Sequence, residues 1–193
     1  MRVISGIAKG RRLKSTRDPE MRPTTDMARQ TIFDILGQTP VDATVLDLFA
    51  GAGTLGIEAL SRGARAATFV EQDRDACGVI EENLRATTLA DRGRVRRSDV
   101  VRFLSKPAQT PFDLVFLDPP YNRGLGFVAR CLVQIVAGRW VRSGGTVVVE
   151  AEEGHVEWPL GFRETRTRRF GRTRVSMAVR DDGRTSGDLS GDI

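Results

Sequence analysis

Four consecutive residues have side chains and backbone groups that could hold a planar amine. They are Asp118, Pro119, Pro120 and Tyr121, and they follow an apolar run at 112–117. Proline has a fixed φ and no N–H, so this backbone offers carbonyl oxygens without competing donors. An exocyclic NH2 could donate one hydrogen to the Asp118 carboxylate and the other to the Pro119 carbonyl. These bonds would orient the nitrogen toward an electrophilic methyl group, and Tyr121 could stack on the base.

A glycine-rich segment lies upstream, between an apolar run and a helical pattern. Gly51, Gly53 and Gly56 have the G-x-G-x-x-G spacing, which lets a ligand approach the backbone near a helix N-terminus. Glu71 ends the next apolar run, where a carboxylate could accept both hydroxyls of a ribose. A nicotinamide dinucleotide would also satisfy these features. The Pro-Pro segment alone could be a simple turn, but the glycine segment upstream disfavours that interpretation.

Two acidic residues favour a methionine-bearing nucleoside, S-adenosylmethionine, as the ligand. Asp47 could engage an ammonium group, and Asp99 could meet an adenine amine. Each has an alternative role, because Asp47 could hold the loop and Asp99 could cap the following helix. The candidate cofactor-binding residues are Asp47, Phe49, Gly51, Ala52, Gly53, Thr54, Glu71, Gln72, Asp99 and Val100.

The charge is distributed as two basic ends around an acidic middle. The net charge of +5 divides into +5 over residues 1–30, +6 over 160–180 and −6 over the remainder. This distribution is typical of a protein with a polyanionic partner, although an arginine-rich coding bias would also produce basic ends. The segment at 166–169 is left open as a nucleic-acid contact. The candidate RNA contacts are Arg2, Lys9, Arg11, Arg12, Lys14, Arg22 and Thr25.

The elements that must position these residues alternate between strand and helix. We predict strands at 44–48, 66–70, 94–97, 112–117 and 146–150, and helices at 54–61, 73–86, 100–104 and 127–136. This alternation predicts a doubly wound, Rossmann-like α/β fold with a mostly parallel sheet of seven strands. Strand-like segments at 162–170 and 173–180 predict an antiparallel end to the sheet.

The predicted organisation is one catalytic domain with a small extension. Residues 1–40 are interpreted as a β-hairpin arm and a helix that begins near Asp26, with an irregular linker at 18–24. Residues 41–180 form the cofactor-binding domain, and 181–193 are expected to be a disordered tail.

Several functional classes are disfavoured by the composition. No apolar run approaches the ~20 residues of a membrane helix, and no secretory leader is visible. Cys77 and Cys131 have no metal-binding spacing and neither follows a proline, which argues against metal sites and covalent cysteine catalysis. His155 lies among glutamates and is interpreted as a surface residue. We therefore expect a cytoplasmic, metal-free monomer.

The sequence resembles the RsmD family of 16S rRNA guanine-N2 methyltransferases over residues 1 to about 180. The resemblance is carried by Arg2–Gly6, Gly10–Leu13, Arg22–Asp26, Phe33–Leu36, Asp47–Leu60, Phe69–Glu71 and Asp118–Tyr121. It implies methylation of N2 of one guanine in the small ribosomal subunit, with Glu71 holding ribose and Asp118–Tyr121 receiving the amine. It also suggests a place for Thr24–Asp26 near the methyl donor. One departure is Met27, where the family pattern leads us to expect a basic residue.

Three other functions remain open from the residues. DNA adenine-N6 methylation usually needs a target-recognition domain, for which the chain has no room. Methylation of protein glutamine usually has Asn at the position of Asp118. A non-catalytic RNA-binding assembly factor would not need Asp118 or an intact glycine loop. Whether Asp118 removes the departing proton or only orients the amine is also left open.

Overall fold

The fold is a single seven-stranded sheet with helices on both faces. The computed structural model describes residues 1–16, 26–151, 154–170 and 173–181. The helices are α1 (Asp26–Leu36), α2 (Thr54–Ser61), α3 (Arg74–Ala86), α4 (Val100–Leu104) and α5 (Gly124–Ala137), with a 3-10 turn at Tyr121–Arg123. The strands are β1 (Thr44–Leu48), β2 (Ala66–Glu71), β3 (Gly93–Arg97), β4 (Phe112–Leu117), β5 (Val141–Ala151), β6 (Phe162–Phe170) and β7 (Thr173–Arg180).

The order of the strands places a crossover point between β1 and β4. The sheet runs β3-β2-β1-β4-β5-β7-β6, and the first five of these strands are parallel. β7 runs antiparallel to both β5 and β6, so the predicted antiparallel end is confirmed. The chain leaves β1 toward β2 on one side, whereas β4 lies on the other side. In open α/β sheets, ligands bind at the carboxyl ends of the strands at such a point.

Alternating side chains divide the core into two layers. Val45 of β1 packs with α1, α2 and α3 on one face, whereas Leu46 packs with α4 and α5 on the other. Because successive side chains of a strand point to opposite faces, strands buried on both sides are apolar throughout. We call these two sides the α1 face and the α5 face.

The N-terminal segment, residues 1–14, is docked on the α1 face, and we call it the arm. Its Val3, Ala8 and Leu13 are buried in the same core layer as α1 and the sheet. The arm has antiparallel pairing, as a β-hairpin would, but no regular strands: Arg2 and Arg12 form one isolated bridge, and backbone N–H groups of Val3, Gly10 and Leu13 donate across the arm. The backbone hydrogen bonds that strands would exchange go partly to side chains and backbone of α2 and α3 instead.

Two predicted boundaries also differ from the structure. Helix α5 begins at Gly124 rather than 127, after the 3-10 turn. Strand β5 begins at Val141 rather than 146, and its extra residues form a register irregularity between the Phe112–Val141 and Leu114–Thr146 pairs. The linker at 18–24 lies outside the described residues, as does nearly all of the tail predicted at 181–193. The division at residue 40 stays a prediction. No helix within the described ranges is long and apolar enough to cross a membrane.

Candidate active site

The predicted site residues meet along the carboxyl edge of the sheet. The glycine loop follows β1, Glu71 ends β2, Asp99 follows β3, and Asp118 follows β4. These strands are neighbours in the order β3-β2-β1-β4, and adjacent strands lie about 4.8 Å apart. The segments proposed to hold a methyl donor and to receive an amine therefore flank the crossover point.

The glycine loop turns the chain sharply from β1 into α2. Phe49, Gly51 and Gly53 have φ values of 61°, 55° and 75°, in the left-handed region that glycine adopts at low cost. Phe49 is held there by edge-on packing against Phe127, with ring centroids 5.7 Å apart. Gly53 is the N-cap of α2 and makes no side-chain cap, so the helix N-terminus faces the loop. These backbone conformations fix the turn between β1 and α2.

Two buried carboxylates hold the loop. Asp47 Oδ2 accepts a hydrogen bond from the Gly56 N–H at 2.9 Å. Glu71 accepts from the Gly51 N–H and the Asp73 N–H, both at 2.9 Å. Asp47 is 2% exposed and Glu71 is 5% exposed. The loop-holding role that the sequence left open for Asp47 is therefore confirmed, while its contact with an ammonium group stays a prediction.

The buried Asp47 carboxyl has an unusual proton affinity. Burial, opposed by the Gly56 hydrogen bond and assisted by the charge of Glu71, raises the pKa of Asp47 to about 7. No basic side chain forms an ion pair with either carboxylate in the described part of the chain. Asp47 and Glu71 are therefore two neighbouring buried acids, and the charge of Glu71 disfavours ionisation of Asp47.

Gly56 allows helix α2 to approach strand β2 closely. A Cβ at this position would lie 2.3 Å from Cε1 of Phe69 and 3.1 Å from Oδ2 of Asp47. The Phe69 ring is fully buried, so it cannot move aside. This is the third glycine of the spacing, and its function is helix–sheet packing.

We expect Gly56→Ala to lower the free energy of unfolding by about 1–3 kcal/mol, the usual cost of overpacking. Urea unfolding monitored by circular dichroism measures this. The matched control is Gly78→Ala in α3, where a Cβ meets nothing within 4 Å. That variant is expected to gain roughly 0.5–1 kcal/mol from helix propensity. Equal effects in the two variants would contradict the close approach at Gly56.

The β3–α4 connection places a third acid at the same edge. Asp99 is the N-cap of α4, and its Oδ1 accepts from the Arg102 N–H at 2.9 Å. Its capping role is confirmed, and its contact with an adenine amine stays a prediction. Val100 is buried, whereas Gln72 is exposed next to Glu71.

Residues 118–121, which we call the acceptor segment after the role predicted for them, continue directly from the buried strand β4. Asp118 is half-buried, Pro119 is buried and Pro120 is exposed. The Pro120 carbonyl accepts from the Arg123 N–H at 3.0 Å, which closes the 3-10 turn that begins at Tyr121. The side chain of Tyr121 lies outside the described part of the structure, so its stacking role stays a prediction. No group of His, Cys, Asp and Glu suited to a metal ion occurs in the described ranges.

Comparison with known proteins identifies the family of this chain. It matches the family described as "Conserved hypothetical protein 95" over residues 1–179. "Ribosomal RNA small subunit methyltransferase D" of Escherichia coli K12 is 41% identical over 152 residues, which cover 79% of this chain and 75% of that protein. The chain belongs to the RsmD family. The resemblance read from the sequence motifs is thereby confirmed.

Further relatives cover nearly the whole RsmD-family chain. "Putative rRNA methyltransferase YlbH" of Bacillus subtilis is 38% identical over 182 residues, covering 92% of this chain and 97% of that protein. The solved structure "Putative methyltransferase yhhF from Escherichia coli" is 36% identical with a TM-score of 0.84, covering 94% and 98% of the two chains. The Rossmann-like methyltransferase fold predicted from the alternation is confirmed.

Three buried polar residues of this RsmD-family chain were missed in the sequence. Glu58 accepts from the Ile4 and Ser5 N–H groups at 2.7 and 3.0 Å. Asn83 donates to the Ala52 and Lys14 carbonyls and accepts from the Lys14 N–H. Arg29 is fully buried in α1 and donates to the Arg2 carbonyl at 2.6 Å. A charged or amide residue inside an apolar helical stripe was the only available signal.

The predicted RNA contacts of the arm separate into two groups. The turn at Ile7 donates to the Ser61 carbonyl, and Arg11 donates to the Ala86 carbonyl, so this end of the arm lies by the C-termini of α2 and α3. The last turn of α3 also carries Asn83, whose amide donates to the Ala52 carbonyl of the glycine loop at 3.0 Å, so Arg11 contacts α3 one turn from that loop contact. Lys14 lies beside the glycine loop through Asn83 and forms an ion pair with Glu82 at 2.6 Å. Arg2, Lys9 and Arg12 are exposed; Arg22 and Thr25 lie outside the described residues.

Proposed function

We propose that this RsmD-family chain uses S-adenosylmethionine to methylate N2 of one guanine in 16S rRNA of the small ribosomal subunit. The observation that carries the proposal is the placement of the glycine loop and Asp118 at the ends of adjacent strands β1 and β4. A donor on one side of the crossover point and an amine on the other would meet at this edge. The names of the relatives support ribosomal RNA as the substrate class.

The charges of the loop favour S-adenosylmethionine over a dinucleotide. Asp47 and Glu71 are buried carboxylates without a basic partner among the described residues, and they line the same loop. A ligand with an ammonium and a sulfonium group would compensate these charges, whereas a pyrophosphate would be repelled. Each carboxylate oxygen of Glu71 retains acceptor capacity for a ribose hydroxyl. The residues present therefore fit the methyl donor.

The acceptor segment supplies positioning and a proton acceptor. Bound donor provides the electrophilic methyl group. Asp118 accepts a hydrogen bond from the guanine N2 amine, and the Pro119 carbonyl accepts the other amine hydrogen. This fixes the nitrogen for in-line attack, which converts binding energy into orientation. The flipped guanine is stacked by Tyr121, and the proton that the nitrogen loses leaves through Asp118 or to solvent.

The exposed cations of the arm supply the sequence-independent contacts with RNA phosphates. The exposed cations among the described residues of the arm are Arg2, Lys9, Arg11, Arg12 and Lys14. We propose that Lys14 contributes most to productive binding, because its backbone is joined through Asn83 to the Ala52 carbonyl of the glycine loop. The chain acts as a monomer in the cytoplasm, where small subunits are assembled.

The test is transfer of labelled methyl groups to defined substrates. The protein is incubated with labelled donor and naked 16S rRNA, small subunits from a strain lacking the enzyme, DNA, or protein acceptors. Nucleoside analysis is expected to find N2-methylguanine in the ribosomal RNA. Label in N6-methyladenine or in protein glutamine, or no label in N2-methylguanine, would overturn the proposal.

Donor binding is expected to become tighter as pH rises toward about 7. The pKa of Asp47 is raised to about 7 in the unliganded protein, so the carboxyl is protonated at lower pH. A cationic ligand favours the ionised form, so binding releases a proton below that pH. Isothermal titration calorimetry between pH 5.5 and 8.5 (about one and a half units either side) measures both the affinity and the proton release.

The control for this pH dependence is Asp47→Asn, which keeps an oxygen for the Gly56 N–H but cannot ionise. It should bind the donor more weakly and lose the rise in affinity over this range. Any dependence that remains in Asp47→Asn belongs to the donor's own amino group. If the wild type and the variant have the same pH profile, Asp47 does not contact the donor's charge.

A further inference from the structure

We propose that edge strand β6 forms a second RNA-binding surface, in which Arg166 and Arg168 contact phosphates next to the nucleotide that enters the active site. This inference rests on the proposed function, because its partner is the same RNA substrate. It concerns the far edge of the sheet, four strands away from the glycine loop.

The register places Arg168 level with the acceptor segment. Arg168 pairs with Val175, Val175 pairs with Glu150, and Leu117 pairs with Val149 one residue earlier. Continuing that register by one residue brings Arg168 level with Asp118. Three strand spacings separate them, which is about 14 Å. If Asp118 holds one nucleotide of the RNA, the adjacent nucleotides of that RNA strand would therefore lie within reach of the Arg168 side chain.

Arg166 and Arg168 lie on the α1 face of the sheet, which is the face that carries the arm. Arg166 and Arg168 lie opposite Met177 and Val175, whose side chains are buried on the α1 face. Directly opposed residues of antiparallel strands point to the same face. The arm packs in the same layer, and Arg29 of α1 joins it through the Arg2 carbonyl. The arm and β6 therefore present exposed cations on the same face of the sheet as α1.

Neither arginine is neutralised by an acid of the residues that the structure describes. Arg166 and Arg168 are exposed, and no carboxylate of the described residues lies within ion-pair distance of either. Glu164, the acid of this strand, points to the α5 face opposite Ala178, where it contacts Thr167 and His155. Residues two apart on one face are about 7 Å apart, so both arginines could contact the same RNA strand.

Charged residues at a sheet edge often have another role, which is to prevent pairing with other chains. The arginines of the other edge of this sheet allow that role to be separated from RNA binding. The other edge strand, β3, has Arg94 and Arg96 at the same spacing. Arg96 pairs with Val70, whose side chain is buried on the α5 face, so these arginines face away from the arm. Arg163 lies at the amino end of β6 and forms an ion pair with Asp181 at 3.8 Å. Edge protection predicts equal behaviour of all these arginines toward RNA.

The experiment compares two double variants of the full chain. Arg166→Gln/Arg168→Gln tests β6, and Arg94→Gln/Arg96→Gln is the matched control on the opposite face. RNA affinity is measured for small subunits lacking the modification at a series of salt concentrations, together with kcat and KM. The β6 double variant is expected to lower the salt slope of log K by about 1 to 2, since each phosphate contact contributes ~0.7–0.9. It should raise KM roughly tenfold and leave kcat nearly unchanged.

The outcomes separate this inference from the proposed function. If wild-type protein methylates the particle but the two double variants have equal salt slopes, the β6 surface is wrong and the proposed function stands. If wild-type protein modifies no ribosomal RNA, both fail. The variant Arg166→Lys/Arg168→Lys keeps the charges and is expected to retain the salt slope. A loss in this variant as large as in the glutamine variant would also overturn the inference, since phosphate contact needs only the charge. Unchanged melting temperatures would show that the variants are folded.

Discussion

Replacing Asp118 with alanine is expected to abolish methyl transfer while the methyl donor still binds. The carboxylate follows β4 at the crossover point and is the acceptor for the reacting amine in the proposed function. Loss of an orienting hydrogen bond and of a possible proton acceptor together predict a fall in kcat of about 10³-fold or more. Single-turnover assays with labelled donor measure the rate, and calorimetry measures the donor dissociation constant.

The matched control for Asp118 is Asp113, at the opposite end of the same strand. Asp113 accepts from the Thr44 N–H and the Thr44 hydroxyl and pairs with Arg142, so its role is structural. Asp113→Asn should lower stability but retain turnover per folded molecule. Near-normal turnover of Asp118→Ala would show that the acceptor segment is elsewhere.

The variant Asp118→Asn distinguishes the two roles that remain open. Asparagine keeps an oxygen that accepts from the amine but cannot take up a proton. If Asp118 only orients the guanine amine, this variant should retain much more activity than Asp118→Ala. If Asp118 removes the proton, both variants should be inactive to a similar degree.

The second large effect is expected for Glu58→Ala, which removes the attachment of the arm. Glu58 is 1% exposed, accepts from two arm N–H groups, and forms an ion pair with Arg62 at 2.8 Å. Its loss leaves two backbone donors and a guanidinium without their acceptor. Breaking a buried pair in this way costs about 3–5 kcal/mol. The free energy of unfolding should fall by an amount of this order, measured in urea.

The arm itself should become accessible in this variant. Limited proteolysis is expected to cleave the arm of Glu58→Ala at conditions where the wild type is resistant, and affinity for the RNA substrate should fall. Glu82→Ala is the matched control, because Glu82 also contacts the arm through Lys14 but the pair is exposed. Exposed pairs contribute about 0–1 kcal/mol, so that variant should behave like the wild type. Comparable losses in both would mean that burial of Glu58 is unimportant.

The sequence predicted the sheet well because its signals are local. Apolar strands and helical stripes alternate, and glycine and proline mark the ends, so Thr54–Ser61, Val100–Leu104 and Phe112–Leu117 were predicted to the residue. Strand β5 was predicted too short, because Gly144 and Gly145 resemble a turn. Gly144 does turn, with a φ of 73°, but the strand resumes pairing at Val141 with Phe112, a contact that no local pattern reveals.

The attachment of the arm could not be predicted for the same reason. Its hydrogen bonds join residues 53 to 69 positions apart, and they involve the side chains of Glu58, Ser61 and Asn83. An isolated polar residue in a helical stripe indicates a buried partner but not which one. The site acids were predictable because the fold itself brings strand ends to one edge. The hydrogen bonds that these acids accept from the loop backbone could not be predicted from the sequence.

The position of β7 in the sheet has a consequence for how the chain is completed during synthesis. It is the last strand of the described residues, yet it lies between β5 and β6. When β6 has been synthesised, its eventual neighbour does not yet exist, and the apolar strand β5 has an unpaired edge. The final strand must insert between β5 and β6. Until residue 180 is available, the nascent chain is therefore exposed to mispairing, and a truncation before β7 should aggregate rather than fold.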